Sequence, residues 1–506
     1  MKIATIHIEN FRSIRSLDIS LDDITVFIGP NNSGKSAILE AVRIALSRRW
    51  GLRGTGFTED DVHRPDENTN PRTAPPVKIQ FEFIESSVGD WPADMVANLN
   101  EIMPLTSGGL NKITVSITYT WDLDKETFLP AWEFLDSSGN ILTTRHRSIN
   151  LSNFYNYVLF FWLGALRDAD DEFRANSNNW GGLLRSIKVP APLQDEIKKS
   201  LDELDAKILA ADPKLSQIAN IIGHATEIAM VSTPGSAKMR MLPMDVWDLL
   251  TRAGIVLRNE DLRPWLPLNH HGQGLQSLSI IFLYEAVVQQ QLSESQFEGA
   301  EPIFAIEEPE VHLHPQAVRT LWTKISSLSG QKLITTHSPY FVQNVPLSNL
   351  RLVCFRNGST ELYSLPRNIV SQLPWTNEIE KLVKGKRWTQ FTKDLLTGNI
   401  ISTECFNEAV ETELLNCWIS DPLAATFKLK LETFRHSCRI LMSANDESEL
   451  AFLGKRIRGE IFFANRWIMV EGPSEYLLLK ALGQVYGYDL DQHGVSLIDF
   501  QNNGNA

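Results

Sequence analysis

Gly29, Pro30, Asn31, Asn32, Ser33, Gly34, Lys35 and Ser36 form a G-x-x-x-x-G-K-S run, and these residue types suit one task, the wrapping of phosphate oxygens. Small residues let backbone N–H groups approach the phosphates, Lys35 reaches the β and γ oxygens, and the Ser36 hydroxyl is placed to hold Mg2+. A second chemistry sits at Glu307 and Glu308, two acids that end the apolar run 303–306. Glu307 is placed to bind Mg2+ directly or through water, and Glu308 to orient or deprotonate an attacking water. A third lies far downstream, where residues 467–470 run into Glu471 and then Glu475. The two carboxylates are close enough to face one cation, and a helix cap formed by Ser474 and Glu475 explains the same residues equally well.

These groups need elements to hold them. Residues 24–28 are continuously apolar, as in a strand buried on both faces, and Ile38, Leu39, Val42, Ile44 and Ala45 mark a helix after the loop. The phosphate loop therefore sits in the expected strand-loop-helix context. Ahead of it, Ile3, Thr5, His7 and Glu9 alternate with their neighbours, and Leu17, Ile19 and Leu21 belong to a second run, which predicts two paired strands. Residues 64–76 are polar and Pro-rich and read as a loop, with strands expected at 77–84 and 113–120. Leu193, Ile197, Leu201, Leu204 and Ile208 recur at helical spacing up to a break at Asp212 and Pro213. A second α/β stretch covers 265–365, with strands at 303–306 and 332–335, and residues 375–455 read as mostly helical.

Composition narrows the function classes. Of 506 residues, 43% are hydrophobic and 22% charged, ordinary for globular domains and enough for a sizeable core. The net charge of −13, from 48 Lys+Arg against 61 Asp+Glu, restricts any nucleic-acid contact to local basic patches. Two such patches stand out: Lys381, Lys384, Lys386 and Arg387 beside Trp388, and Lys455, Arg456 and Arg458. DNA contact and a solvated helix face both fit them. Cys354, Cys405, Cys417 and Cys438 form no C-x-x-C pair, so neither a disulfide framework nor a zinc ribbon is expected. His312 and His314 have an H-x-H spacing but no nearby third ligand. No signal peptide is expected at residues 1–9, and the longest apolar stretch, 157–166, is far short of the roughly 20 residues that span a bilayer. A cytoplasmic protein with no membrane association is expected.

Between the phosphate loop and the acidic strand lie Gly272, Gln273, Gly274, Leu275, Gln276 and Ser277, with a helical pattern behind them, and after it residues 333–336 lead to His337. The set resembles an ABC-type ATPase head of the SMC/RecF branch. That resemblance implies an α/β P-loop fold binding ATP and Mg2+, with residues 29–36 as Walker A and Gly272 to Ser277 as a variant signature motif. It also implies Glu307 and Glu308 at the Walker B end, 309–315 as the D-loop, and His337 as the switch histidine on the γ-phosphate. Glu307 departs from the family's more common Asp, which adds a methylene but keeps an oxygen ligand. A head of this kind completes its site by dimerising, because the signature helix of one subunit points at the γ-phosphate of another; a homodimer or higher even oligomer is implied.

The segments 462–472 and 166–173 resemble the OLD (overcoming lysogenization defect) nucleases, in which a Toprim domain follows an ABC head. By that resemblance Glu471 is a catalytic acid, Glu471 and Glu475 bind Mg2+ or Mn2+, the substrate is DNA, and the role is defence against phage, with room for an accessory defence protein. Toprim catalysis also uses a later D-x-D pair; none follows Asp499, so the nuclease site is expected to be incomplete in this chain. The alternative is a DNA-binding or sensing ATPase that controls a partner effector. The expected division is 1–185 and 246–370 for the two parts of the head, 186–245 for a helical insertion and candidate dimerisation element, 371–460 for a helical linker region, and 461–506 for the start of the Toprim domain.

Overall fold

The computed structural model describes residues 1–47, 57–104, 109–143, 147–165, 172–175, 177, 180–211, 242–243, 245–258, 264–294, 298–418, 424–443, 446, 448–450, 452, 463, 466–490 and 492–499. The chain folds as two units, Met1–Ala165 with Ser295–Ala506, and Leu166–Glu294.

The first unit is organised by a six-stranded sheet in the order Ser359–Ser364, Leu350–Arg356, Ile24–Ile28, Gln331–Thr335, Glu301–Glu307, Val158–Leu163. Its last five strands run parallel, and Ser359–Ser364 closes one edge as an antiparallel hairpin partner of Leu350–Arg356. Parallel strands are covered on both faces, which is why they read as unbroken apolar runs. Val26, Phe27, Ile303, Ile306, Leu333 and Ile334 are all fully buried. The apolar stretch 157–166 contributes an edge strand of this sheet, and among the described residues no helix is long and apolar enough to cross a membrane. The register pairs Thr335 with both Phe27 and Glu307, so the carboxyl ends of three strands coincide where the phosphate loop begins.

Beside it lies a five-stranded antiparallel sheet in the order Ile14–Ser20, Ile3–Phe11, Val77–Ile84, Lys112–Asp122, Thr127–Leu135. Val77, Ile79, Phe81 and Phe83 are buried and the residues between them are not, the alternation expected of a half-covered strand. The Lys35–Leu46 helix shares one core with this sheet through Ile38, Leu39, Val42 and Ile44. Gln331 joins the two sheets: its buried amide accepts from Ile3 N at 2.9 Å and donates to Ile3 O at 2.7 Å.

Residues 369–441 form a separate small body. Three short strands, Ile369–Pro374, Asn399–Ser402 and Phe391–Lys393, pair antiparallel, and the helices Asn377–Lys386, Glu408–Asn416 and Ala424–Ser437 accompany them. Leu373, Ile379, Phe391, Ile400, Leu414, Leu431 and Phe434 make its core. Helices make up most of the described regular structure within 375–455, and the short strands are what the apolar pattern does not announce. Strands of three to six residues, one bulged between Val370 and Pro374, carry too little alternation to register as strands. Further on, Arg466–Val470 and Val495–Asp499 pair in parallel, with the Pro473–Val485 helix between them in sequence.

The second unit contains the helices Ala191–Ala211 and Gln273–Glu294 and a two-residue hairpin, Val256–Leu257 with Leu266–Pro267. In the first helix Leu201 is buried while Leu193, Leu204 and Ile208 are exposed. Residues 212–241, the remainder of the expected helical insertion, lie outside the described residues.

A candidate nucleotide site and an acidic strand-loop-helix

Ile28 passes directly into Gly29, whose φ of 144° only glycine adopts readily; a Cβ there would lie 2.1 Å from the Val353 carbonyl oxygen. The loop ends at Gly34, with φ of 104°, and the Lys35–Leu46 helix begins without a side-chain cap. The first N–H groups of such a helix suit an anion. Lys35 is buried, and its Nζ donates to Gly29 O at 2.9 Å and Pro30 O at 2.7 Å, with Ser33 Oγ at 3.5 Å. Burial lowers its pKa to about 8, against the opposing pull of Glu308 and Glu307.

The acidic strand end meets this loop. The Ser36 hydroxyl is hydrogen-bonded to Glu307 Oε1, two hard oxygen donors of the kind Mg2+ selects. Glu308, held by its N–H to Thr335 O at 3.0 Å and turned by a φ of 44°, lies with Oε1 3.4 Å from His337 Nε2. Burial, followed by the charge of Lys35, lowers the His337 pKa, which favours neutral imidazole. Lys35, Ser36, Glu307, Glu308 and His337, separated by up to 302 residues in sequence, thus occupy one end of one sheet.

Two supports have no signature in the sequence. Behind the loop, the Thr360 hydroxyl lies 2.8 Å from Ser13 Oγ and 3.1 Å from Ser33 O. Beneath the switch segment, the Glu310 carboxylate accepts from Thr336, His337 and Ser338. Both depend on contacts between segments far apart in sequence, which no local pattern announces.

In the second unit Gly272 precedes the Gln273–Glu294 helix, so Gln273, Gly274, Gln276 and Ser277 occupy its first turns. Gln276 Nε2 donates to His271 O at 2.7 Å, tethering the preceding loop, and Ser277 is buried. His314 caps the Pro315–Ser327 helix, its Nδ1 accepting from Gln316 N at 3.3 Å, which accounts for one member of the H-x-H pair. Of the first basic patch, Lys384 pairs with Glu380 at 2.5 Å and Lys386 with Glu413 at 2.7 Å. Trp388 is half-buried and packs edge-on against Phe391, at the margin of the core of the small body. Lys455, Arg456, Arg458 and most of 166–173 lie outside the described residues.

At the far strand pair, Val470 is in register with Asp499, so Asp499 and Glu471 end neighbouring parallel strands. Glu475 stands in the first turn of the Pro473–Val485 helix, and its Oε2 accepts from Glu471 N at 2.6 Å. The expected cap by Ser474 and Glu475 is not formed: the N-cap position, Gly472, has no side-chain cap, and Glu475 instead holds the backbone of the residue before it. Among the described residues no group of three or more His, Cys, Asp and Glu side chains gathers as a metal cage.

Residues 1–342 match the family model described as AAA ATPase domain, and residues 462–506 match that of the overcoming lysogenization defect protein-like TOPRIM domain. The OLD nuclease of Thermus scotoductus is 25% identical over 364 residues, covering 69% of this chain and 61% of its own. The Old nuclease of Escherichia phage P2 is 22% identical over 401 residues, covering 76% and 63%. A solved Smc head domain with an extended coiled coil, bound to the C-terminal domain of ScpA derived from Pyrococcus furiosus, aligns at 14% identity over 76% of this chain and 99% of that one, with a TM-score of 0.40. The chain spans about three fifths of the length of the curated relatives it matches.

Proposed function

The chain belongs to the AAA ATPase domain family, and on that footing we propose that it binds ATP at residues 29–36 and hydrolyses it with Glu308 and His337. The observation that carries this reading is the meeting of Ser36 with Glu307 and of Glu308 with His337 around the buried Lys35. Lys35 and the loop N–H groups bind the β and γ oxygens. Glu308 orients the attacking water and takes its proton, and neutral His337 contacts the γ-phosphate. Ser36 and Glu307 would hold Mg2+, which supplies charge neutralisation at the phosphates. Phosphate release by the full chain with Mg2+ tests the reading: Lys35→Ala should lose ATP binding, and turnover equal to that of the unaltered chain would end it.

The wider activity we propose is that of the OLD nucleases: ATP gates a DNA endonuclease in which Glu471 is catalytic and Glu471 and Glu475 hold Mg2+ or Mn2+. It would act in the cytoplasm against phage, as a homodimer or higher even oligomer through the heads, with an accessory defence protein as a further partner. Support comes from the match of 462–506 and from the register that pairs Asp499 with Val470, the residue before Glu471. Nicking of supercoiled plasmid with Mg2+ or Mn2+, absent in Glu471→Ala, is the expected result. The dimer requires that Gly274→Trp lose turnover while binding ATP normally.

A second reading, a DNA-binding or sensing ATPase that controls a partner effector, is favoured by one observation. Glu475 is already engaged by the Glu471 backbone N–H, which gives its carboxylate a structural task in holding the loop besides that of a metal ligand. It expects salt-sensitive DNA binding without scission.

A further inference from the structure

The run after the Glu301–Glu307 strand carries a third acid, Glu310, to which the proposed chemistry gives no task. Left-handed backbone at Glu308 and His312, with φ of 44° and 67°, folds this segment back on itself, closed by Val311 N to Glu308 O at 3.2 Å and Leu313 N to Glu310 O at 3.0 Å. Glu310 Oε1 thereby accepts three bonds from consecutive residues: Thr336 Oγ1 at 2.5 Å, His337 N at 3.0 Å and Ser338 N at 3.1 Å. Its Oε2 is buried with no hydrogen-bond partner among the described residues. Burial raises the pKa of this carboxyl, and the Thr336 and His337 donors oppose the rise.

A half-buried acid with one oxygen buried and unpartnered is an expensive way to close a loop, and a neutral acceptor would serve packing as well. What distinguishes Glu310 is where its donors lie. All three belong to the segment that bears His337, whose imidazole faces Glu308 at 3.4 Å. His337 is thus held from two sides by one acidic run, its side chain beside Glu308 and its backbone by Glu310. The elements that follow are joined as well: Trp322 packs edge-on against Phe341 at 5.8 Å, and Arg319 lies over Tyr340 at 5.6 Å. Residues 310–327 and 336–342 are therefore linked at both the loop and the helix that follows.

The geometry points to Glu310 as a positioning residue that sets the backbone of 336–338 and so places the His337 imidazole for hydrolysis. The inference rests on the ATPase reading of the same site.

Steady-state hydrolysis and ATP binding by the full chain, with thermal melting of each variant, test it. Glu310→Ala should lower kcat at least tenfold while ATP affinity changes less than threefold. Glu310→Gln keeps an acceptor oxygen and should recover kcat to within threefold of the unaltered chain. Thr336→Val, which removes one donor and leaves the carboxylate, should fall between them. In a His337→Gln background Glu310→Ala should add less than twofold, because both changes act through one group. Glu310→Gln as inactive as Glu310→Ala, ATP affinity falling in step with kcat, or multiplicative losses in the double variant would each overturn the role of Glu310. If Lys35→Ala hydrolyses as the unaltered chain does, the ATPase reading fails and takes this inference with it; if Lys35→Ala is inactive, failure belongs to Glu310 alone.

Discussion

The Thr360 hydroxyl meets that of Ser13 at 2.8 Å across 347 residues of sequence, and the pair lies directly behind the α-carbon of Gly34. A β-carbon at Gly34 would stand 2.1 Å from Thr360 Oγ1 and 2.9 Å from Ser13 Oγ, on backbone whose φ of 104° already excludes ordinary side chains. Gly34→Ala should cost roughly 2–4 kcal/mol through strain and overpacking together, and should remove ATP binding. Adding Thr360→Ala should restore part of the stability and none of the φ penalty. Denaturant unfolding of the three forms is the check; an undiminished midpoint in Gly34→Ala would contradict the clamp.

Lys35 gives nucleotide binding a pH dependence. With its pKa lowered by burial to about 8, part of the lysine is neutral at mildly alkaline pH, and phosphate selects the charged form. ATP affinity should hold below pH 8 and then weaken by up to about tenfold per pH unit, with a proton taken up on binding. Calorimetry at pH 7 and 9 in two buffers of different ionisation enthalpy measures both. A Kd unchanged from pH 7 to 9.5 would rule this out.

Glu308 and His337 lie 3.4 Å apart, and the proposed chemistry separates their roles from binding. Glu308→Gln should lower kcat by about 100-fold or more with ATP affinity preserved, the size expected for loss of a positioned general base. His337→Ala should do the same to kcat, and mutants that lose binding instead would move these residues out of the hydrolytic step. Single-turnover phosphate release with a separate binding assay divides the two.

On the antiparallel sheet, His7 is flanked by Glu9 at 2.8 Å and Asp18 at 2.6 Å. Burial pulls its pKa down, and the two carboxylates outweigh that pull, so the net shift is upward. Lys78, Gln80 and Glu82 line the same face. A raised histidine stabilises the fold fully below its unfolded value near 6.5 and loses that contribution as pH rises through the folded value. His7→Gln should therefore destabilise by at most about 1 kcal/mol at pH 6 and by less at pH 9. Equal losses at both pH values would mean the effect is packing alone.

The nucleotide loop, the acidic strand end and His337 were legible because each is a local pattern: an apolar run, then small or charged residues at fixed spacing. That Lys35, Ser36, Glu307, Glu308 and His337 converge was legible only by resemblance, since nothing local pairs residue 27 with 335. Glu310, Ser13 and Thr360 stayed hidden because they matter through sheet register alone. The Trp388 patch could not be resolved locally for the opposite reason: charge beside an aromatic is a surface pattern, and only the fold shows that the ring packs against the core of the small body.

Strand order also has a consequence for biosynthesis. The strand that launches the phosphate loop, Ile24–Ile28, leaves the ribosome early, but its two neighbours in the sheet, Gln331–Thr335 and Leu350–Arg356, are made more than 300 residues later. At about 5–20 residues per second, the loop strand waits on the order of 15–60 s before either edge can be paired. Through that interval an apolar strand with two open edges belongs to a nascent chain, so yield in cells should depend on chaperones that hold nascent chains. For the same reason a fragment ending before residue 331 would retain the phosphate-loop motif and have no sheet in which to set it.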